Sequence, residues 1–282
     1  MRGMNLHDRY KKVMDAIAAA AAKARRDPRA VTVIAVTKTA TTDQIKQVIE
    51  MGHLNLGESR VQQLQQRAAQ IEEWLVRQQS RELKKPLPSP GAVRWHMIGH
   101  LQRNKVRAVM PLCHVIHSVD SLRLAEEIHE EAERWRTEGN PGSAVGGPKV
   151  MPETPDISGT VPATAPSAPL VRQPMQVLLE VNVAGEGSKF GVAVGAALHL
   201  AEQMDTMEEI QLVGLMCMAP FSSNPEDARP VFVRLREVFE EIRFRKIGGE
   251  KFRHLSMGMS GDYQVAIEEG ATMVRLGTAV FG

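Results

Sequence analysis

Cysteine is nearly absent from this 282-residue chain, with only Cys113 and Cys217 present. Two thiols cannot build a disulfide framework or, by themselves, a zinc site, and both are read as core residues. No apolar run approaches the ~20 residues that a bilayer-spanning helix needs. The alanine-rich run from Ala16 to Ala22 is weakly apolar and flanked by charge, unlike a signal peptide. Neither sign of charge dominates either. Lys+Arg number 35 against 33 Asp+Glu, so the balance implies no basic surface for a nucleic-acid backbone. What remains is 43% hydrophobic and 24% charged, enough to bury a full core as one large domain or two modest ones. The expectation is a globular, cytoplasmic protein without membrane or nucleic-acid partners.

One segment differs from the rest. Thr137 to Pro174 holds eight of the 16 prolines and no aromatic residue. It buries too little apolar surface to offset its ordering entropy, and reads as a disordered or loosely held insertion, with a domain linker as the rival. A smaller polar break, residues 78–92, reads as a second surface insertion.

Elsewhere strand and helix patterns alternate. A stripe of Leu6, Tyr10, Val13, Ile17 and Ala21 predicts a helix over 5–26. The run Val31-Thr-Val-Ile-Ala-Val-Thr-Lys38 is too continuously apolar for a half-exposed strand, and Thr42 or Asp43 caps the helix that follows. Further strands are expected at 54–58, 95–98, 115–119, 176–183, 210–218, 254–257 and 273–280, separated by amphipathic helices. Eight buried strands with helices between them indicate α/β architecture and favour a single closed (β/α)8 TIM-type barrel over residues 1–282. An open doubly wound sheet is the runner-up. The N-terminal helix is expected to cover the barrel where no helix follows the eighth strand.

Chemistry in such a barrel sits at the C-terminal strand ends. Lys38 ends the first strand, where partial desolvation would lower its pKa and free the amine as a nucleophile; an ordinary solvated lysine is the alternative. Leu255-Ser-Met-Gly-Met-Ser-Gly-Asp262 places hydroxyls and glycines before a helix, and Arg275-Leu-Gly-Thr278 adds a cation, a glycine and another hydroxyl. On neighbouring strands seven and eight, the two form an expected phosphate site. His96 and His100 lie four apart on a strand and its turn, which suits hydrogen bonding at the barrel mouth rather than metal binding. Asp120 reads as a helix cap. Arg243 to Arg253, broken by two glycines, reads as a solvated connection.

These residues also carry a family likeness. The segments Val36-Thr-Lys-Thr39, Leu56-Gly-Glu-Ser59, Trp95-His-Met-Ile-Gly-His-Leu-Gln-Arg-Asn-Lys105, Ile116-His-Ser-Val-Asp-Ser121, Ser188-Lys-Phe-Gly-Val192, Gly214-Leu-Met216, Leu255-Ser-Met-Gly-Met-Ser260 and Met273-Val-Arg-Leu-Gly-Thr-Ala-Val-Phe-Gly282 occur in family order. Together they resemble the pyridoxal-phosphate homeostasis protein family, which is similar to the barrel domain of alanine racemase. The resemblance implies pyridoxal 5′-phosphate (PLP) as cofactor, bound to Lys38 as an internal aldimine. It places Ser256, Ser260, Gly277 and Thr278 in the phosphate motifs, Arg275 opposite the pyridine nitrogen, and Asn55 and His96 along the ring pocket. The family's Gly-Glu-Asn reads Gly57-Glu58-Ser59 here, so any contact made by that asparagine is in question.

A PLP racemase needs a base on each face of the substrate Cα. Alanine racemase takes one, a tyrosine, from a second domain, whereas this chain holds only Tyr10 and Tyr263. Arg275 near the ring nitrogen would oppose its protonation and weaken the ring as an electron sink. The expectation is a non-catalytic PLP carrier, a monomer or weak dimer that supplies PLP to apoenzymes. A PLP-dependent amino-acid racemase is the alternative. A Schiff-base aldolase acting on a phosphorylated sugar shares the lysine and the anion site, and is the reading that needs no family.

Overall fold

The computed structural model describes residues 4–79, 86–138, 173–187 and 189–282. Most of the insertion expected at 137–174, and part of the polar break at 78–92, lie outside these residues. Among the described residues, nine parallel strands run in the order β4-β3-β2-β1-β9-β8-β7-β5-β6, and pairing of β4 with β5 closes the sheet. Eight of them make the barrel: β1 (Thr32–Val36), β2 (Asn55–Glu58), β3 (Arg94–Met97), β4 (Cys113–Val119), β5 (Met175–Asn182), β7 (Ile210–Met216), β8 (His254–Ser256) and β9 (Met273–Leu276). The ninth, β6 (Val192–Ala193), is a two-residue strip paired only to the end of β5. The closed barrel therefore holds and the open doubly wound sheet does not.

The helices form because their apolar stripes match the 3.6-residue period. In α1 (Leu6–Lys23) Asn5 caps the first turn by accepting from the Asp8 amide, and Leu6, Val13, Ile17, Ala20 and Ala21 are buried. Helix α2 (Thr42–Glu50) starts one residue earlier than expected. Thr41 caps it, because Gln44 at the third position returns the bond in a capping box. Helices α3 (Val61–Gln79), α4 (Val106–Val109), α5 (Leu122–Glu138), α6 (Val194–Asp205) and α7 (Arg229–Phe244) complete the outer wall up to β8. Helix α5 takes in Thr137 and Glu138, so the proline-rich segment begins later than its composition suggested.

One expectation at the C-terminal end is corrected. The eighth barrel strand stops at Leu276, and Thr278–Phe281 turns into a short helix, α9, instead of continuing to Val280. The preceding helix, α8 (Tyr263–Glu268), is only six residues long. Helix α1 packs across both, with Arg26 Nη1 donating to the Ile267 carbonyl at 2.7 Å and Lys23 paired with Glu268 at 2.7 Å. It supplies the cover expected of it.

Side chains alternate between wall and lumen. Val33, Ala35, Val177, Leu179 and Val274 join the large core under the helices. Ile34, Val115, Leu178, Val213, Met216 and Met273 form a separate apolar cluster inside the barrel, with Ile98 and Met218 packed on it. Gly57 faces the same space; a Cβ there would lie 2.7 Å from Ile34 Cγ2. This plug fills the lower lumen and leaves the next inward positions to be polar.

Candidate functional site

Two residues beyond the plug, the inward positions of β4, β5 and β9 change character. Val115 is followed by His117, Leu178 by Glu180 and Met273 by Arg275, while β2, β3 and β8 contribute Asn55, His96 and Ser256. All of these but Glu180 form a hydrogen-bonded chain across the lumen. Arg275 Nη1 donates to Ser256 Oγ at 2.7 Å and to its carbonyl at 2.8 Å, and Nη2 donates to the Cys217 carbonyl at 2.8 Å. Ser256 Oγ lies 2.9 Å from His117 Nδ1, His117 Nε2 lies 3.0 Å from His96 Nδ1, and His96 Nε2 lies 3.3 Å from Asn55 Oδ1.

Arg275 is 4% exposed and has five N–H donors, of which three are used among the described residues, leaving two for a ligand acceptor. Burial lowers its pKa, opposed by nearby Cys217, Glu180 and Asp262. Burial also keeps both chain histidines neutral. His96 is pushed down to about 3, and His117 falls well below the usual range with the charge of Arg275 adding to the effect. Glu180 is buried too, and desolvation raises it to about 7 even though Arg275 pulls the other way.

Above the chain, at the mouth, lies the second group of expected residues. Lys38 sits not on β1 but on a 3-10 turn, Thr37–Thr39, and is exposed rather than partly desolvated. Ser260 Oγ accepts from the backbone N–H of Gly277 at 3.3 Å and of Ala279 at 3.1 Å. Gly277 abuts the end of β1; a Cβ there would lie 3.6 Å from the Val36 carbonyl, so this cluster borders the Lys38 turn. Thr278 opens α9 and is exposed. Ser256, grouped with Ser260 in the sequence, belongs instead to the buried chain below.

Other expectations also shift. Asp120 does not cap α5; its carboxylate accepts from His100 Nδ1 at 3.0 Å, and His100 stacks on Phe190 with 3.8 Å between ring centroids. His96 and His100 therefore belong to different clusters, one inside and one at the rim. Ser59 Oγ makes no hydrogen bond among the described residues, and the Ser59 backbone passes so close to Gly99 that a Cβ there would meet its carbonyl at 2.3 Å. Cys113 and Cys217 are buried free thiols, as expected. Tyr10 sits on the outer wall, 3.0 Å from His53 Nδ1, and Tyr263 packs against the outer core.

Residues passed over in the sequence hold the Lys38 turn. Glu58 is fully buried and accepts from Thr37 Oγ1 at 2.8 Å, from the Ser59 amide at 3.1 Å and from Arg67 Nη1 at 2.5 Å. Arg67, on α3, also donates to the Thr37 carbonyl and reaches those of Lys38 at 3.4 Å and Ala40 at 3.2 Å. Arg67→Leu would strand the Glu58 carboxylate without its cation. The expected loss is about 3–5 kcal/mol of stability, read from urea unfolding, with part recovered in Arg67→Leu/Glu58→Gln. An unchanged midpoint would show the clamp to be dispensable.

Comparison with known proteins identifies the family. Residues 13–282 match the family model described as alanine racemase, N-terminal domain. The chain is 32% identical, over 99% of its length and 98% of the relative's, to the pyridoxal phosphate homeostasis protein of Aquifex aeolicus. With that of Escherichia coli K12 it shares 30% over 96% of this chain and 93% of the relative. Among solved structures, an unknown protein from Bifidobacterium adolescentis is 31% identical with a TM-score of 0.76, covering 98% of this chain and 94% of that one. PipY of Synechococcus elongatus PCC7942 with PLP bound is 25% identical with a TM-score of 0.67, covering 94% of this chain and 100% of PipY. Alanine racemase of Corynebacterium glutamicum, at 12% identity and a TM-score of 0.55, covers 95% of this chain and 61% of the racemase, and shares the fold alone. The chain thus belongs to the pyridoxal phosphate homeostasis protein family, built on the alanine racemase N-terminal domain.

Proposed function

We propose that this protein binds PLP, holds it covalently through the amine of Lys38 and supplies it to apoenzymes without turning over amino acids. The observation that carries this reading is the vertical order of groups at one end of the barrel. An exposed amine and a cluster of hydroxyl and N–H groups lie above a buried guanidinium with two unused donors. PLP supplies an aldehyde that condenses with a primary amine, a phosphate, and a ring nitrogen that accepts a hydrogen bond. The donor set fits all three. Lys38 provides the amine; Ser260, Gly277 and Thr278 the phosphate cradle; Arg275 the donor to the ring nitrogen; Asn55 and His96 the pocket wall.

The same guanidinium favours holding over turnover. A permanent cation at the ring nitrogen opposes protonation there, and carbanion chemistry loses its electron sink. Tyr10 is held on the outer wall by His53, which leaves Tyr263, just after the phosphate motif, as the candidate for the second base a racemase would need. The names of the relatives support the homeostasis role.

The test is the visible spectrum of the purified protein mixed with PLP, before and after borohydride, with peptide mapping of the product. A band that disappears as label becomes fixed at Lys38, with no amino-acid racemisation by the loaded protein, supports the reading. Protein that takes up no PLP refutes it, and racemisation at enzymatic rates would move the assignment to catalysis.

A further inference from the structure

The lumen chain has a direction. Arg275 can only donate, so Ser256 Oγ accepts from it and its single proton is left for His117 Nδ1. His117 must then carry its proton on Nε2 and donate to His96 Nδ1, which in turn puts the His96 proton on Nε2, toward Asn55 Oδ1. This is the assignment in which every link pairs one donor with one acceptor. Burial reinforces it, because a protonated imidazole would present donors at both ends and break one link. The carbonyl oxygen of Asn55 is thereby occupied, and its amide nitrogen, without a partner among the described residues, is the group left to face a ligand.

We propose that His117 is a positioning residue, transmitting the donor direction of Arg275 across the barrel so that Asn55 offers N–H donors to an acceptor oxygen on the ligand ring. This rests on the PLP reading and assigns the pocket a preference, namely for a pyridine aldehyde that carries a ring oxygen beside the aldehyde. His117 touches no ligand in this scheme. It acts through His96 on one side and Ser256 on the other, and it ties β4 to β3 and to β8 across the lumen.

The experiment compares equilibrium binding of PLP and 3-deoxypyridoxal 5′-phosphate, followed by absorbance, to the wild-type protein and to His117→Phe, Asn55→Ala and the double variant. Wild type is expected to prefer PLP by about tenfold, the worth of one hydrogen bond of about 1.4 kcal/mol. The preference should fall near unity in each single variant, with no further change in the double one. A purely structural role would weaken both compounds equally and leave the ratio alone. Ser256→Ala breaks the same relay one link upstream with little change in volume, and decides the matter if His117→Phe does not fold. A folded relay variant that keeps the wild-type ratio overturns the proposal, as does a wild-type ratio near one. Wild-type protein that binds neither compound refutes the PLP reading itself.

Discussion

Lys38→Ala protein is expected to lose all borohydride-fixed PLP while melting within about 2 °C of wild type. The two halves of this result have separate causes. Lys38 is exposed and its amine makes no hydrogen bond among the described residues, so truncation opens no cavity and orphans no partner. What the turn contributes to the fold passes through backbone carbonyls held by Arg67, and alanine has those too. Covalent capture, by contrast, needs a primary amine at this place and has no substitute in the buried chain, whose members are hydrogen-bonded to one another. Reversible binding through Arg275, Ser260 and Gly277 should remain, seen as PLP that elutes on gel filtration but quenches protein fluorescence at equilibrium. A reduced adduct recovered at the site from Lys38→Ala protein would remove Lys38 from its role.

The second large effect is acid sensitivity. Five histidines have pKa values held down in the folded state: His53, His114 and His254 at about 4, His96 at about 3 and His117 well below normal, all chiefly by burial. Unfolded, each would titrate near 6.5. Between these limits the unfolded chain binds more protons than the folded one, so stability is fully present above pH ~6.5 and is lost as pH falls toward the folded values. Each group adds a slope approaching about 1.4 kcal/mol per pH unit. Glu180, raised to about 7, and Asp262, also raised by burial, act in the opposite sense, since the folded form takes their protons first. Five groups against two leave a net loss, large beside the ~5–15 kcal/mol of an ordinary domain. Urea midpoints should fall steadily from pH ~6.5, with cooperative unfolding near pH ~4. A flat profile down to pH ~4.5 would mean that these imidazoles are charged inside the fold.

Much of the barrel was legible because its walls obey simple periods. The stripe Phe232, Leu235, Val238, Phe239 and Ile242 is buried in full on α7, and the strands lie within two residues of expectation wherever apolar runs end in polar ones. Where a run continued past its strand, as from Thr278 to Val280, hydrophobicity could not show that the backbone had turned helical at Gly277. The site divides the same way. Lys38, Ser260, Gly277 and Arg275 lie near or just beyond the C-terminal ends of strands, where position made them candidates. His117 was passed over although it lies two residues beyond Val115 in the inward register of β4, where a polar residue following an apolar one is itself a signal. Arg67 gave none. On a helix whose buried stripe is Leu64, Ala68, Ile71 and Leu75 it looks like any solvated arginine, and only the fold brings it to three carbonyls of the Lys38 turn.

The chain across the lumen also bears on how the molecule reaches its fold. Its members come from β2, β3 and β4 on one side and from β8 and β9 on the other, with more than 130 residues between His117 and Ser256. A partial sheet of β1 to β4 would hold His96 and His117 on an open face, and a partial sheet of β7 to β9 would hold the Ser256 hydroxyl without its His117 acceptor. Neither fragment can dry its interior without leaving polar groups unpaired. Half-barrels are thereby disfavoured as resting states, and as surfaces for pairing with a second chain. The polar lumen makes closure of the ring and desiccation of its centre a single cooperative event.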